Sequence, residues 1–210
     1  MKNINSNIEI LKIYNDLVIK FISKKLAPLH IRKLYIEYLK LYLASNSIIP
    51  SSQYNKKKFT NSNCYGFALD IPTPNIFRNF YEKIEIDDFV MNPGFASFEL
   101  FAFKKIDTLK NILADFDSLN IKYFESSLQI PILHNGYKIA ILFNGDSYKT
   151  HFIRQNSDGT WSEKVGYSNM IRNFTNIDES YYIKLGYTLE KVYEIVKEQN
   201  KEKVKKLTNN

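Results

Sequence analysis

Short apolar segments between residues 129 and 164, in which apolar and polar side chains alternate with a period of two, constrain the fold more than any other feature of the sequence. Two Asn-Gly pairs, Asn135-Gly136 and Asn144-Gly145, lie between them. Both residue types accept the positive φ angles of a tight hairpin turn. The pattern therefore predicts an antiparallel meander, with strands over residues 129–133, 137–143, 148–155 and 160–164.

Elsewhere, apolar residues recur at the spacing of amphipathic helices. This spacing predicts four helices, over residues 6–25, 31–42, 107–119 and 187–196. Asp107 is the expected N-cap of the third helix. The first two are expected to pair as an N-terminal helical hairpin. An α+β fold follows, with helices packed on an antiparallel sheet.

A change of composition over residues 48–63 marks a linker or long loop, because a proline, paired serines and three successive lysines lie there. We therefore expect an N-terminal helical extension over residues 1–50 and a compact domain over 51–196. The lysine-rich segment 197–210 is expected to be a frayed tail.

The composition indicates a folded protein, since 44% of the 210 residues are hydrophobic and 15% aromatic. The formal charge of +7 would favour acidic partners, but the lysines are scattered in small groups, as on a solvated surface. We therefore do not expect a nucleic-acid partner. No segment approaches the roughly 20 apolar residues that span a bilayer. No signal peptide is visible, so we expect a cytoplasmic protein unless a dedicated secretion machine exports it.

The only cysteine of the chain, Cys64, follows the polar segment Asn61-Ser62-Asn63 and opens a short apolar helical pattern. The start of a helix favours a thiolate, which is the nucleophilic form of cysteine. The alternative interpretation is an inert core residue. A single cysteine excludes an intramolecular disulfide and a cysteine-based zinc site, and we expect neither a cofactor nor a metal.

A catalytic thiol needs a base within hydrogen-bond reach and a third group that orients the base. His151, on a predicted strand, is the favoured base. His134, beside the Asn135-Gly136 turn, is a weaker candidate.

The third group depends on the loop that follows the His151 strand. If Ser157-Asp158-Gly159 forms a three-residue loop, Glu163 shares the face of His151 and its carboxylate can orient the ring. If the loop is the two-residue Asp158-Gly159, the parity flips and Ser162 and Lys164 share that face. We favour the three-residue loop.

Three segments resemble a set of poorly characterised bacterial proteins with a papain-like cysteine hydrolase fold. The segments are Asn63-Cys64-Tyr65-Gly66-Phe67-Ala68-Leu69, Pro93-Gly94, and His151-Phe152-Ile153-Arg154-Gln155 with Asp158-Gly159-Thr160-Trp161-Ser162-Glu163-Lys164. This sequence has Glu163 where the family usually has His, and Val165 where Pro is common. The order of Cys, helix and His-bearing hairpin is also similar to the NlpC type of cell-wall endopeptidases. The resemblance covers roughly residues 61–166 and implies a papain-like (NlpC-type) catalytic domain.

The residues and the resemblance together predict a thiol hydrolase of peptidase, amidase or deamidase type, acting on a peptide or another amide through a Cys64–His151 dyad and an acyl-enzyme. The alternative is a non-catalytic binding module on the same fold, whose basic surface binds a protein or nucleic acid. The substrate and the oligomeric state stay open.

Four further residues are candidates for contacts with the reacting group or the substrate. The oxyanion of the reaction would be held by the Cys64 backbone N–H and a side-chain amide, for which Asn63 or Asn61 is the candidate. Trp161 would shield the dyad or line the cleft, the alternative being a core residue of the hairpin. Ser162, its neighbour, is a further candidate for substrate contact.

Overall fold

The computed structural model describes residues 28–46, 48–53, 56–60, 62–72, 91–99, 104–146, 149–166, 168 and 170–197. The chain divides into two compact units. In one of them the structure describes helix α1 (Pro28–Ser45), which covers the helix predicted over residues 31–42. Within α1, the Tyr38 ring stacks on those of Tyr35 and Tyr42, with ring centroids 6.1 and 6.2 Å apart. The predicted helix over residues 6–25, and with it the predicted hairpin, lies outside the described residues, as does the tail beyond Lys197.

The other unit, Ile48–Glu198, contains a six-stranded antiparallel sheet with strand order β1-β6-β2-β3-β4-β5. The coarse prediction of an α+β fold with an antiparallel sheet is therefore confirmed. The strands are β1 (Tyr123–Ser126), β2 (Gly136–Asn144), β3 (Lys149–Gln155), β4 (Trp161–Lys164), β5 (Ile171–Phe174) and β6 (Tyr187–Val196). The helices described are α2 (Cys64–Ala68), α3 (Lys105–Ser118) and α4 (Glu179–Lys184), with a short 3-10 helix over Lys56–Phe59.

Strands β2 to β5 form the predicted kind of meander, and β6 returns to pair with β2. Every residue of β2 is buried, as expected for a central strand covered on both faces. Gly136 opens this strand because the neighbouring backbone leaves no room for a side chain: a Cβ there would lie 2.2 Å from the Ile195 carbonyl oxygen. Central placement of β2 holds its neighbour β3, which carries His151, against a rigid support.

The prediction of a helix over residues 187–196 was wrong, because these residues form β6 between β1 and β2. The apolar positions in this segment fit either period, but Tyr, Val and Ile favour a pleated, half-buried surface. Hydrogen bonding to a neighbouring strand on each edge favours the strand over the helix for this segment.

The prediction of a strand over residues 129–133 was also wrong, and Asn135-Gly136 is not a hairpin turn. Instead the Lys138 ammonium group, which extends from β2, donates hydrogen bonds to the carbonyl oxygens of Ser127, Leu128 and Ile130. These backbone carbonyl groups are therefore hydrogen-bonded by a side chain and not by a neighbouring strand.

Helix α3 begins at Lys105 rather than at the predicted cap. Lys104 occupies the N-cap position without a side-chain hydrogen bond, and Asp107 lies in the first turn. An acidic residue in the first turn still interacts favourably with the helix dipole, which accounts for its place near the start. Strands β1 and β5 and helix α4 were not predicted.

Candidate active site

Helix α2 places Cys64 at its first position because Asn63 caps it. The Asn63 Oδ1 atom accepts a hydrogen bond from the Gly66 backbone N–H at 2.9 Å. At the other end, Asp70 adopts a left-handed conformation with φ of 58°, which Asp tolerates better than most residues. The short helix predicted at Cys64 is therefore present, with its bounds set by two polar residues.

A buried ion-pair cluster fastens the end of α2 to β3. The Arg154 guanidinium lies 4.0 Å from the Phe67 ring centroid and donates hydrogen bonds to the Phe67 carbonyl at 3.0 Å and to Asp70 Oδ1 at 3.2 Å. Lys58 donates to the same Asp70 oxygen at 3.0 Å. Burial alone would raise the pKa of Asp70, but the charges of Lys197, Lys58 and Arg154 lower it. Because Arg154 shares β3 with His151, the cluster also fixes Cys64 relative to His151.

The hairpin after His151 has the predicted three-residue loop. Ile153 pairs with Glu163, and the Asn156 N–H donates to the Thr160 carbonyl at 2.7 Å. Gly159 takes the left-handed position with φ of 83°. This register puts Glu163 on the face of His151, and the two side chains meet with 2.5 Å between His151 Nε2 and Glu163 Oε2. Ser162 and Lys164 point to the opposite face of the strand.

Glu163 is held on both oxygens. Its Oε2 accepts a hydrogen bond from the Tyr182 hydroxyl at 2.9 Å, and its Oε1 lies 2.5 Å from Arg172 Nη2. Glu163 is 1% exposed, and burial by itself would raise its pKa. The hydrogen bond and the charge of His151, followed by Tyr182 and Arg172, outweigh burial and lower the pKa of Glu163. The carboxylate is thus kept ionised beside the ring.

The Cys64 thiol lines the same cavity as the His151 ring and lies close enough to raise the pKa of the ring. Since Nε2 is engaged by Glu163, Nδ1 is the ring nitrogen left for sulfur. Burial of the ring opposes its charged form, but the hydrogen bonds with Cys64 and Glu163 and the charges of both partners raise the pKa of His151 to about 9. An imidazolium that persists at neutral pH stabilises a neighbouring thiolate.

These side chains line a cavity of about 500 Å³. Its wall includes Cys64, His151 and Glu163, and aromatic side chains stand beside the histidine: the Tyr182 and Tyr187 ring centroids lie 6.3 and 6.1 Å from that of His151. The volume falls in the range of pockets that hold small ligands or parts of larger ones. The arrangement can therefore present a carbonyl group to a thiolate.

Comparisons of the chain with family models, with curated proteins and with solved structures found no match. The functional proposal below therefore rests on the geometry and chemistry of the site.

The other predicted contact residues lie elsewhere or are already engaged. Asn63 lines the cavity, but its amide group donates to the Met91 carbonyl at 3.2 Å and to Asn92 Oδ1 at 3.0 Å. Trp161 is 5% exposed and packs in a core cluster with Ala140 and Ile153, as in the alternative interpretation of this residue. Asn61 lies outside the described residues.

Two predicted alternatives are used in other contacts. The Ser162 hydroxyl bridges Asn156 and Asn173 across the sheet, at 2.7 and 2.6 Å. His134 pairs through Nδ1 with Glu194 Oε1 at 3.0 Å and stacks on Phe124. Neither residue is among those that line the cavity.

Three residues of the site were missed by sequence reasoning. Tyr182 and Arg172 lie in segments without a recognisable local pattern, and only the pairing of β4 with β5 and the packing of α4 bring them to Glu163. Asn92, which also lines the cavity, directly precedes the Pro93-Gly94 turn. The position of this polar residue beside a fixed turn was the one sequence signal that could have marked Asn92 as functional.

Two kinds of feature are absent from the described ranges. These ranges hold no group of three or more His, Cys, Asp or Glu side chains arranged to bind a metal ion. Among the described helices, none has the length and apolar character needed to cross a bilayer.

Proposed function

We propose that this protein is a thiol hydrolase in which Cys64 is the nucleophile, His151 the acid and base, and Glu163 the group that orients His151. The observation that carries the proposal is that Cys64, His151 and Glu163 lie together on the wall of one cavity, with His151 hydrogen-bonded to Glu163 and its pKa raised by Cys64. Nucleophile, base and orienting carboxylate are the three roles that thiol catalysis requires.

The first half of the reaction forms an acyl-enzyme. The Cys64 thiolate attacks a carbonyl carbon, a carbon–sulfur bond forms, and the carbonyl π electrons move to oxygen. As the tetrahedral intermediate collapses, the carbon–nitrogen bond breaks and His151 gives its proton to the departing amine. The carboxylate of Glu163 keeps the ring in the orientation that reaches sulfur through Nδ1.

The second half releases the acid. His151, now neutral, takes a proton from water as the water oxygen attacks the thioester carbon. Collapse of this second intermediate breaks the carbon–sulfur bond, and the Cys64 thiolate returns beside the protonated ring. One amide and one water are consumed, and one amine and one carboxylic acid are formed.

The order of parts supports a papain-like, NlpC-type arrangement for residues 51–196. Cys64 begins a short helix, a longer helix follows at Lys105–Ser118, and His151 lies on the first strand of a hairpin in an antiparallel sheet. We propose peptides or other amides as the substrate class, because the site supplies both a nucleophile and a proton for an amine leaving group.

Alkylation of Cys64 by iodoacetamide at about pH 6 tests the proposal, since only a thiolate reacts and an unperturbed thiol is protonated there. Mass spectrometry of the intact protein should show stoichiometric labelling within minutes. His151→Ala should abolish this reaction at the same pH.

His134→Ala is the matched control, because His134 also pairs with a buried glutamate but lies away from the cavity. It should label like the unmodified protein. A thiol that ignores the reagent until alkaline pH, or one that labels equally well in His151→Ala, would contradict the proposal and favour a non-catalytic binding module.

A further inference from the structure

We infer that the side-chain amide of Asn92 donates a hydrogen bond to the oxyanion formed when Cys64 attacks a carbonyl group. The inference rests on the proposed function, and it assigns to Asn92 the role that the sequence suggested for Asn63 or Asn61. Asn92 lines the cavity together with Cys64 and His151.

A chain of hydrogen bonds fixes which end of the Asn92 amide is already engaged and which end is left free. The Gly66 backbone N–H can only donate, so the atom of Asn63 that it contacts at 2.9 Å must be the oxygen, Oδ1. The other end of Asn63 is therefore its nitrogen, which also agrees with its contact to the Met91 carbonyl. This nitrogen contacts Asn92 at 3.0 Å, so the Asn92 atom there must be the oxygen.

The nitrogen of Asn92 is consequently left as a free donor. Among the described residues, no acceptor is bonded to Asn92 Nδ2. By contrast, the Asn63 nitrogen already donates to two oxygens, and binding of an oxyanion there would require one of these bonds to break. A side-chain amide with an unused donor at the cavity is one of the groups that stabilise an oxyanion.

The loop that carries Asn92 is held in place before any substrate binds. The buried carboxylate of Asp115 accepts hydrogen bonds from the Gly94 and Ser97 backbone N–H groups, each at 2.8 Å. The Phe95 N–H closes a turn onto the Asn92 carbonyl at 2.9 Å. A donor on a fixed loop needs little reorganisation when charge develops, which is the condition for effective electrostatic stabilisation.

During the reaction, Asn92 moves no proton. The carbon–sulfur bond forms, the carbonyl π electrons move to oxygen, and the Nδ2–H group donates to the resulting negative oxygen. When the leaving group departs, the electron pair returns to the carbonyl and the hydrogen bond weakens. Asn92 would therefore affect reactions that pass through an oxyanion and leave other reactions of the thiolate unchanged.

Two reagents distinguish reactions of the thiolate that pass through an oxyanion from reactions that do not. Iodoacetamide alkylates sulfur by displacement at a saturated carbon and forms no oxyanion, whereas p-nitrophenyl acetate acylates sulfur through a tetrahedral intermediate. Asn92→Asp keeps the oxygen that accepts from Asn63 but has no N–H donor, and Asn92→Ala removes the donor without adding charge. Asn120→Asp, at an exposed position outside the cavity, controls for the added charge.

We expect Asn92→Asp and Asn92→Ala to lower the rate of acylation by about 10²-fold, the usual effect of removing one such donor. Alkylation should stay within about twofold of the unmodified protein, because no oxyanion is stabilised in that reaction. Asn120→Asp should change neither rate. Acylation that is undiminished in both variants, or acylation and alkylation that fall in equal proportion, would overturn the inference. Failure of the unmodified protein to react at Cys64 with either reagent would instead overturn the proposed function.

Discussion

Glu163 Oε2 lies 2.5 Å from His151 Nε2, across two paired strands whose register is set by a three-residue loop. The same protein contains a second His–Glu pair, in which His134 Nδ1 lies 3.0 Å from Glu194 Oε1. In each pair the glutamate is the more buried partner, but only His151 lines the cavity together with the Cys64 thiol. The two pairs therefore provide an internal comparison for the effect of a carboxylate on Cys64.

Glu163→Gln should slow the alkylation of Cys64 at about pH 6 by tenfold or more, because the His151 ring loses the charge and hydrogen bond that favour the imidazolium. Glu194→Gln should leave the rate unchanged. Pseudo-first-order rates from intact-protein mass spectrometry measure the effect. Equal rates for the two variants would show that Glu163 does not act on Cys64 through His151.

The proton of His151 should persist well above neutral pH. The pKa of His151 is raised from 6.5 to about 9, so its ring is protonated below that value and loses the proton as the pH rises through it. Because Cys64 is one cause of the rise, Cys64→Ala should move the pKa back towards 6.5. Titration of the ¹⁵N-labelled ring by NMR measures both values. A midpoint near 6.5 in the unmodified protein, or one that Cys64→Ala does not lower, would contradict the proposed pairing.

Tyr182→Phe should destabilise the larger unit by about 1–3 kcal/mol, because a buried carboxylate loses a hydroxyl donor while the ring and its packing are retained. Its neighbour Tyr181→Phe is the matched control, since the Tyr181 hydroxyl bonds the partly exposed Arg172 guanidinium and not the buried carboxylate, and its loss should cost less than about 1 kcal/mol. Denaturant unfolding followed by the fluorescence of Trp161, which is in the core of this unit, measures the free energy of unfolding. Equal costs for the two variants would contradict a specific role for the Tyr182 hydroxyl.

Arg154→Met should lower the free energy of unfolding by about 3–5 kcal/mol, because it leaves Asp70 with a buried charge that has lost one partner. Lys105→Met breaks the partly exposed pair with Glu190 and should cost less than about 1 kcal/mol. The same unfolding measurement compares them. Since Arg154 also fixes α2 to β3, alkylation of Cys64 at about pH 6 should slow in Arg154→Met and not in Lys105→Met. A cost below 1 kcal/mol for Arg154→Met would show that Lys58 and Lys197 suffice for Asp70.

Sequence reasoning worked best where the deciding interactions are close along the chain. The α2 helix at Cys64 is bounded by its own cap residues, and the face of Glu163 follows from one loop and the period of a strand. It did worse with residues 187–196, whose apolar positions fit a helix and a strand equally well. In the structure these residues form a strand because they hydrogen-bond to β1 on one edge and β2 on the other, and both of those strands are distant in sequence.

The candidate site likewise combines residues that the sequence identified with residues that only the tertiary structure revealed. Cys64, His151 and Glu163 were singled out from the sequence as residue types suited to thiol chemistry, but Tyr182, Arg172 and Asn92 were not. No local pattern marks these three, because their contacts arise from the packing of α4, the addition of β5 and the fixed Pro93-Gly94 loop.

The sequence by itself determined the α+β class and the helix that begins at Cys64, and it favoured the register that gives Glu163 the face of His151, since capping, loop geometry and strand period are local properties. Only the tertiary structure decided that Cys64 and His151 line one cavity and that the oxygen of the Asn92 amide is engaged by Asn63. Both depend on side chains from separate elements, brought together by the buried contacts of Arg154 and Asp115.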